Sequence, residues 1–271
     1  MSLVQVRGHE VHVRDFGRGP HTVVFVHGMV MDNMASWFFT LANPVSKSAR
    51  VILYDLRGHG RSERTESGYT IPGLIADLDG LLDALEVRER VVLVGNSFGG
   101  LLALSYAIAH PERVEGLVLV DGNMHDDQWN DEVRQRFSIS GDDVEAAVAE
   151  IKRYSFRYAG LDSPRKRNQL GRSAWRLVHR TDFVEEVTSS PAFTAEELRS
   201  VSCPVLALYG ADSELAERAR RMIEQLPDCE AVWFEGYTHL LLWEASEEVR
   251  RRVSEWLDGL ESSVDEGRAG G

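Results

Sequence analysis

Short apolar runs that alternate with helical patterns constrain the fold of this chain more than any other feature. Thr22–Val26 and Val91–Val94 are β-branched and apolar almost throughout, which is typical of strands buried on both faces of a parallel sheet. Runs of the same type recur at Arg50–Tyr54, Leu117–Val120, Val205–Tyr209 and Ala231–Phe234. Between them, segments such as Ile71–Leu85 place apolar residues at helical spacing. This alternation predicts an α/β protein with a doubly wound, mostly parallel sheet.

The two ends of the chain and one long internal segment depart from this alternation. Leu3–Val6 and Glu10–Arg14 predict an N-terminal hairpin, which brings the sheet to about eight strands. Residues 122–198 are too long for a loop and include a helical pattern at Asp142–Tyr154. We therefore expect a core formed by residues 1–121 and 199–260, an inserted helical lid at 122–198, and a flexible tail at 261–271.

Charge and composition narrow the class of protein. The net charge is −13, from 43 acidic and 30 basic residues, which argues against binding to nucleic acid or to anionic membranes. Two cysteines are too few for a disulfide framework. The sequence shows neither a secretory signal nor a run of about 20 apolar residues. These features predict a soluble, cytoplasmic protein; they leave its oligomeric state open.

A candidate nucleophile lies where one predicted strand meets a helix. Val91–Val94 leads into Gly95-Asn96-Ser97-Phe98-Gly99, and an apolar helix follows at Leu101–Ala109. A Gly-x-Ser-x-Gly motif alone is weak evidence, but a strand-to-helix turn forces its serine into a strained, exposed position. The flanking glycines fit, because neighbouring backbone approaches too closely there for a side chain. The motif predicts Ser97 as a nucleophile.

Three further segments extend this motif into a resemblance to the α/β-hydrolase fold superfamily, in its serine-nucleophile branch. They are His27-Gly28-Met29 after the third strand, Asp55-Leu56-Arg57-Gly58-His59-Gly60-Arg61-Ser62 after the fourth, and Gly236-Tyr237-Thr238-His239 after the last. The resemblance implies the α/β-hydrolase fold, with His239 as the general base for Ser97. It also implies an oxyanion hole formed by the backbone N–H groups of Met29 and Phe98. The side chains of Met29 and Phe98 would then shape an apolar acyl pocket or pack in the core.

The acid that orients His239 stays open at this point. The family usually places it three residues after the glycine that follows Val205–Tyr209, but this chain has Ser213 there, between Asp212 and Glu214. Asp212 is favoured if the loop shifts by one residue. Asp121, at the end of the preceding strand, matches a second arrangement within the family, and Glu214 is the third candidate. No metal or cofactor is expected, because His27 and His59 have no carboxylate at metal-ligand spacing and are interpreted as structural.

The predicted lid differs in charge from the rest of the chain. Between Lys152 and Arg180 there are nine basic residues and one acidic residue. Arg172, Arg176 and Arg180 follow i, i+4, i+8 spacing and would share one helix face. This face is either simply solvated or a dock for an anion: a substrate carboxylate, a coenzyme A phosphate or an acidic carrier protein.

The sequence predicts a hydrolase that cleaves a carboxylic ester, thioester or lactone through an acyl-enzyme intermediate on a small-molecule substrate. Carbon–carbon bond hydrolysis is the alternative within enzymes, since Gly95-Asn96-Ser97 resembles ring-cleavage-product hydrolases. Those enzymes carry a glycine-rich oxyanion loop and an aromatic residue after the histidine, whereas this chain has Met29 and Leu240 there. A non-catalytic receptor or scaffold on the same fold is the third possibility.

Overall fold

The computed structural model describes residues 2–137 and 164–268. Its centre is an eight-stranded sheet in the order β1-β2-β4-β3-β5-β6-β7-β8. The strands are β1 Ser2–Val6, β2 His9–Gly17, β3 Thr22–Val26, β4 Arg50–Tyr54, β5 Val91–Asn96, β6 Val114–Val120, β7 Val205–Gly210 and β8 Cys229–Phe234. Only β2 pairs antiparallel, with β1 and with β4, and the pairs from β4 to β8 are parallel. The predicted fold class, including the N-terminal hairpin, is confirmed.

Alternate residues of the central strands enter two separate cores on the two faces of the sheet. All five residues of β3 are buried. Val24 and Val26 pack in the core on one face, and Val23 and Phe25 pack in the core on the other. This two-sided burial explains why the strand sequences lack polar alternation.

Helices cover both faces and connect the parallel strands. They are α1 Ala35–Trp37, α2 Asn43–Val45, α3 Ile71–Ala84, α4 Phe98–Ala109, α5 Asp127–Phe137, α6 Pro164–His179, α7 Phe183–Val187, α8 Ala195–Arg199, α9 Ala216–Ile223, α10 Leu241–Glu244 and α11 Ser246–Arg268. A π-helical turn, Phe38–Ala42, joins α1 to α2, and a 3₁₀ turn, Pro111–Arg113, precedes β6. Among the described residues, none of these helices has the length and apolarity needed to cross a membrane.

Helices α5 to α8 lie between β6 and β7, in the segment predicted to be a lid. The predicted helix Asp142–Tyr154 lies outside the described residues. Arg172 and Arg176 lie on α6, Arg180 follows its end, and all three are exposed. Arg172 and Arg176, one helical turn apart, lie on the same exposed side of α6, as their spacing predicts. The role of residues 122–198 as a lid stays a prediction.

The last helix, α11, continues to Arg268. Its backbone is therefore helical beyond residue 260, where the sequence placed the start of a flexible tail. The flexibility of residues 261–271 stays a prediction.

Candidate active site

Ser97 lies in the turn between β5 and α4, in a backbone conformation that is unusual for a residue with a side chain. Its φ is +53° and its ψ is −120°. The turn is tight because Gly95 and Gly99 have no side chains. A Cβ at Gly95 would lie 2.3 Å from the carbonyl oxygen of Gly99, and one at Gly99 would lie 2.1 Å from that of Val26. The glycines thus hold Ser97 at the carboxyl end of the sheet.

A chain of two hydrogen bonds joins Ser97 to His239 and Asp121. Ser97 Oγ lies 2.9 Å from His239 Nε2, and His239 Nδ1 lies 2.5 Å from Asp121 Oδ2. A carboxylate can only accept, so Nδ1 carries the proton and Nε2 is free to accept one from the serine hydroxyl. His239 reaches this position from the loop that follows β8.

Asp121 is fully buried at the end of β6 and is held from several sides. Its φ is +45°, its Oδ2 accepts a hydrogen bond from Ser213 Oγ at 2.6 Å, and its Oδ1 accepts one from the Gly210 N–H at 3.1 Å. Ser213 occupies the position where the family usually has its acid. In this chain it instead supports the acid on the neighbouring strand.

Asp212, the first candidate for the acid in the sequence analysis, does not contact His239 in the described structure, and this corrects the earlier preference. Its side chain is exposed, and its backbone N–H donates to the carbonyl oxygen of Tyr237. This bond fixes the loop with the carboxylate turned to solvent. Glu214 is also exposed; its charge acts on His239, and no hydrogen bond joins it to that ring among the described residues.

Opposing effects act on the pKa of His239. Burial alone would lower it, but the hydrogen bond and charge of Asp121 raise it, and the charge of Glu214 adds to this. The charge of Arg136 acts in the opposite direction. The net effect raises the pKa of His239 above its ordinary value of 6.5, which strengthens it as a base.

The loop that follows β3 lies next to Ser97 and contains Gly28, Met29 and Val30. The Gly28 N–H donates to Asp32 Oδ2 at 2.7 Å, and the Val30 N–H donates to His59 Nε2 at 2.7 Å. Neither the Met29 N–H nor the Phe98 N–H is hydrogen bonded to a described residue. A Cβ at Gly28 would lie only 3.6 Å from the Cβ of Ser97. The loop therefore lies beside the nucleophile, with the Met29 N–H unused.

His27 and His59 both hydrogen bond to backbone, the structural role expected from the sequence. His27 Nε2 accepts from the Leu56 N–H at 3.0 Å, while Nδ1 contacts the carbonyl oxygen of Gly28 at 2.6 Å. His59 Nδ1 contacts the carbonyl oxygen of Arg57 at 2.8 Å. Burial, followed by the charge of His27, lowers the pKa of His59 to about 3. Within the described ranges, no three His, Cys, Asp or Glu side chains form a group suited to a metal ion.

A cavity, here called the catalytic cavity, opens onto Ser97 and His239. Its walls are Met29, Asn123, Trp129, Glu132, Val133, Arg136, Glu214 and Leu215. Phe98 does not line it. That side chain is fully buried and stacks on Trp129 with ring centroids 6.1 Å apart. The Phe98 side chain therefore packs in the core and does not shape an acyl pocket, whereas Trp129 lines the cavity.

Asn123 is a polar residue of the site that the sequence analysis missed. Its Nδ2 donates to Ser97 Oγ at 3.2 Å, and its backbone N–H donates to the Ser97 carbonyl oxygen at 2.9 Å. It follows Asp121 by two residues, at the edge of the sheet where the other site residues meet. That proximity was the available signal, but it could not show that the side chain turns toward the nucleophile.

Comparison with known families decides the class of the chain. A family model described as "alpha/beta hydrolase fold" matches residues 21–158, about half of the sequence. The chain belongs to the alpha/beta hydrolase fold family. The match includes β3 to β6, Ser97 and Asp121.

The proteins that resemble this α/β hydrolase carry different names. A 2-hydroxy-6-oxononadienedioate/2-hydroxy-6-oxononatrienedioate hydrolase of Paraburkholderia xenovorans (strain LB400) is 28% identical over 262 residues, which are 92% of this chain and 90% of that protein. An esterase from Thermogutta terrifontis has the same fold, with a TM-score of 0.77, 23% identity, and coverage of 96% of this chain and 98% of that one. So has an enol-lactonase from Burkholderia xenovorans LB400, with a TM-score of 0.75, 22% identity, and coverage of 95% and 100%.

Proposed function

We propose that this α/β hydrolase is a serine hydrolase that cleaves a carboxylic ester, thioester or lactone of a small molecule. The observation that supports it most strongly is the continuous hydrogen-bond chain from Asp121 through His239 to Ser97 Oγ, with distances of 2.5 and 2.9 Å. A serine hydroxyl becomes a nucleophile at neutral pH only when a base within hydrogen-bond reach takes its proton.

The reaction proceeds in two halves. Ser97 Oγ attacks the carbonyl carbon while His239 Nε2 takes the hydroxyl proton, and the Met29 and Phe98 N–H groups stabilise the resulting oxyanion. His239 then protonates the leaving oxygen or sulfur, which leaves an acyl group on Ser97. Water, deprotonated by His239, attacks this ester and releases a carboxylic acid. Asp121 holds the imidazole in the required tautomer throughout.

Hydrolysis of a carbon–carbon bond in a 2-hydroxy-6-oxo acid is the second candidate. It is favoured by the name of the Paraburkholderia relative, which covers almost the whole chain. Attack by Ser97 on the 6-oxo carbon would break the bond to carbon 5, and the departing carbon would take a proton. Ser97, His239 and Asp121 would act in the same way in both reactions. The two reactions differ in the leaving group, which is an oxygen or sulfur atom in one and a carbon atom in the other.

The basic face of α6 supports an anionic or carrier-bound substrate. Arg172 and Arg176 are exposed on that helix, and Arg180 lies over the ring of Trp175 at 5.2 Å. Changing all three to Glu should raise KM for an acyl thioester of coenzyme A while KM for a neutral ester stays the same. Equal effects on both substrates would mean that the arginines only interact with solvent.

The cytoplasmic location and the absence of a cofactor stay predictions from the sequence.

Covalent labelling with a fluorophosphonate probe tests the function directly. The wild-type chain should react, Ser97→Ala should not, and Ser105→Ala should react normally. Ser105 is a matched control because its hydroxyl donates to a backbone carbonyl within α4. A wild-type chain that does not react, or a Ser97→Ala variant that reacts equally, would favour the non-catalytic receptor.

Substrate assays then separate the two hydrolytic reactions. p-Nitrophenyl butyrate, a six-membered lactone and a 2-hydroxy-6-oxo-dienoic acid are compared at equal concentration. A kcat/KM at least tenfold higher for the ester or lactone supports the first candidate. The reverse order would replace it with carbon–carbon hydrolysis.

A further inference from the structure

A second cavity is lined by β2, by the segment around Phe38, by the turn after β4 and by α6. Its volume is about 410 Å³, within the range of sites for small molecules. We call it the His12 cavity. It shares no described lining residue with the catalytic cavity. Its floor is one face of β2, its wall is the turn around Phe38, and α6 lies opposite.

His12 and Asp55 form a buried pair at the base of this cavity. His12 Nδ1 lies 2.8 Å from Asp55 Oδ2, and His12 is 7% exposed. Asp55 also accepts hydrogen bonds from the Met34 and Arg61 N–H groups, both at 2.9 Å. Nδ1 therefore donates to a fixed carboxylate, which orients the ring.

Among the described residues, nothing hydrogen bonds to the other ring nitrogen of His12, Nε2, although that atom is buried. A buried polar atom without a partner costs free energy. His12 therefore leaves one unsatisfied polar atom at the base of the cavity.

Two arginines make the His12 cavity positive within a chain of net charge −13. Arg14 follows His12 by two residues and so lies on the same face of β2, and Arg61 lies on the turn after β4. Neither arginine forms an ion pair with a described residue. The Arg14 guanidinium lies over the ring of Phe38, 4.2 Å from its centroid. Stacking leaves the N–H groups in the guanidinium plane available to a carboxylate.

The remaining walls combine apolar side chains with the polar residues Asn33, Gln169 and Ser173. Met34, Phe38, Phe39 and Leu170 line the cavity, and Phe39 is 73% exposed, an unusual position for a phenylalanine. We propose that the His12 cavity binds a small organic carboxylate with an apolar chain. The head group contacts Arg14 and Arg61 beside the His12 ring, and the chain lies against Phe38, Phe39 and Leu170.

Calorimetric titration of the full chain with octanoate tests this site. Octanoate should bind in a saturable manner, while octan-1-ol and octylamine, which have the same chain without the anion, should not. Arg14→Gln/Arg61→Gln should weaken octanoate binding about tenfold or more. Arg18→Gln/Arg88→Gln removes the same charge from exposed positions outside the cavity and should bind like the wild type.

A site-specific measurement excludes binding in the catalytic cavity. Octanoate should shift the NMR resonance of the His12 ring, assigned through His12→Asn, and leave that of His239 unchanged. Thermal unfolding of each variant checks that it is folded. The proposal fails if octanoate does not bind, if octylamine binds equally well, if both arginine pairs weaken binding equally, or if His239 shifts instead of His12.

Discussion

Replacing Asp121 with Asn tests the central relay with a minimal change of shape. The Oδ1 of an asparagine can still accept from the Gly210 N–H. Its NH₂ group, however, would replace the Oδ2 that now accepts from Ser213 and from His239 at 2.6 and 2.5 Å. The Ser213 hydroxyl can rotate and accept. The imidazole can avoid a clash of two donors only by moving its proton from Nδ1 to Nε2.

The size of the effect follows from that tautomer. With a proton on Nε2, His239 faces Ser97 Oγ as a donor and cannot take the hydroxyl proton. In a serine protease with the same relay, this substitution lowers kcat about 10⁴-fold. We expect a loss of about 10³ to 10⁴ in kcat for Asp121→Asn, which is about 4–5.5 kcal/mol in the activation free energy, with a smaller change in KM.

The assay compares Asp121→Asn with Asp212→Asn on the best p-nitrophenyl ester, together with the rate of fluorophosphonate labelling. Asp212→Asn removes an equal charge from an exposed side chain and should keep kcat within about threefold of wild type, as surface substitutions usually do. Circular dichroism confirms folding. The reasoning is refuted if Asp121→Asn keeps more than a tenth of the activity, or if Asp212→Asn loses as much.

Three further predictions follow from the same structure. Because the pKa of His239 is raised, kcat/KM should fall with acidification from a midpoint above pH 6.5; a lower midpoint would contradict this. Because the pKa of His59 is lowered to about 3 in the folded chain, the unfolded state binds more protons between pH 6.5 and about 3. The free energy of unfolding, measured with urea, should therefore fall by up to about 1.4 kcal/mol for each pH unit of acidification in this window. It should fall less steeply in His59→Gln. Gly99→Ala should lose activity and about 1–3 kcal/mol of stability, whereas Gly259→Ala, with open space around it, should lose neither.

The sequence predicted the central strands because burial on both faces leaves a local pattern. β3 and β4 begin and end where their apolar runs do. β6 begins at Val114, three residues before the predicted start at Leu117. Gly116 interrupts the pattern there because the ring of Trp256 packs against it, and a Cβ would lie 2.6 Å from that ring. A contact with a helix 140 residues later is not visible in a local window.

The candidate site likewise contains features that depend on neighbouring residues in the sequence and features that depend on distant ones. The positions of Ser97 and the Met29 loop could be predicted because they depend on the backbone within one turn. Asp121 follows β6 and Asp212 follows β7, and His239 lies on the loop after β8. The choice between the two acids depends on which of them turns its side chain toward that loop. The backbone bond from Asp212 to Tyr237 and the positive φ of Asp121 decide it. Neither leaves a pattern in the sequence.

The turn after β4, interpreted from the sequence as a fold signature, also supports the candidate oxyanion loop. Asp55 accepts from the Met34 N–H and His59 accepts from the Val30 N–H, so the turn holds the loop on both sides of Asp32. Val30 has a φ of +62°, a strained value for a β-branched residue. Such a conformation persists only where surrounding bonds fix it. Because Asp55 also orients His12, the ring at the base of the His12 cavity is held by the same carboxylate that anchors the candidate oxyanion loop.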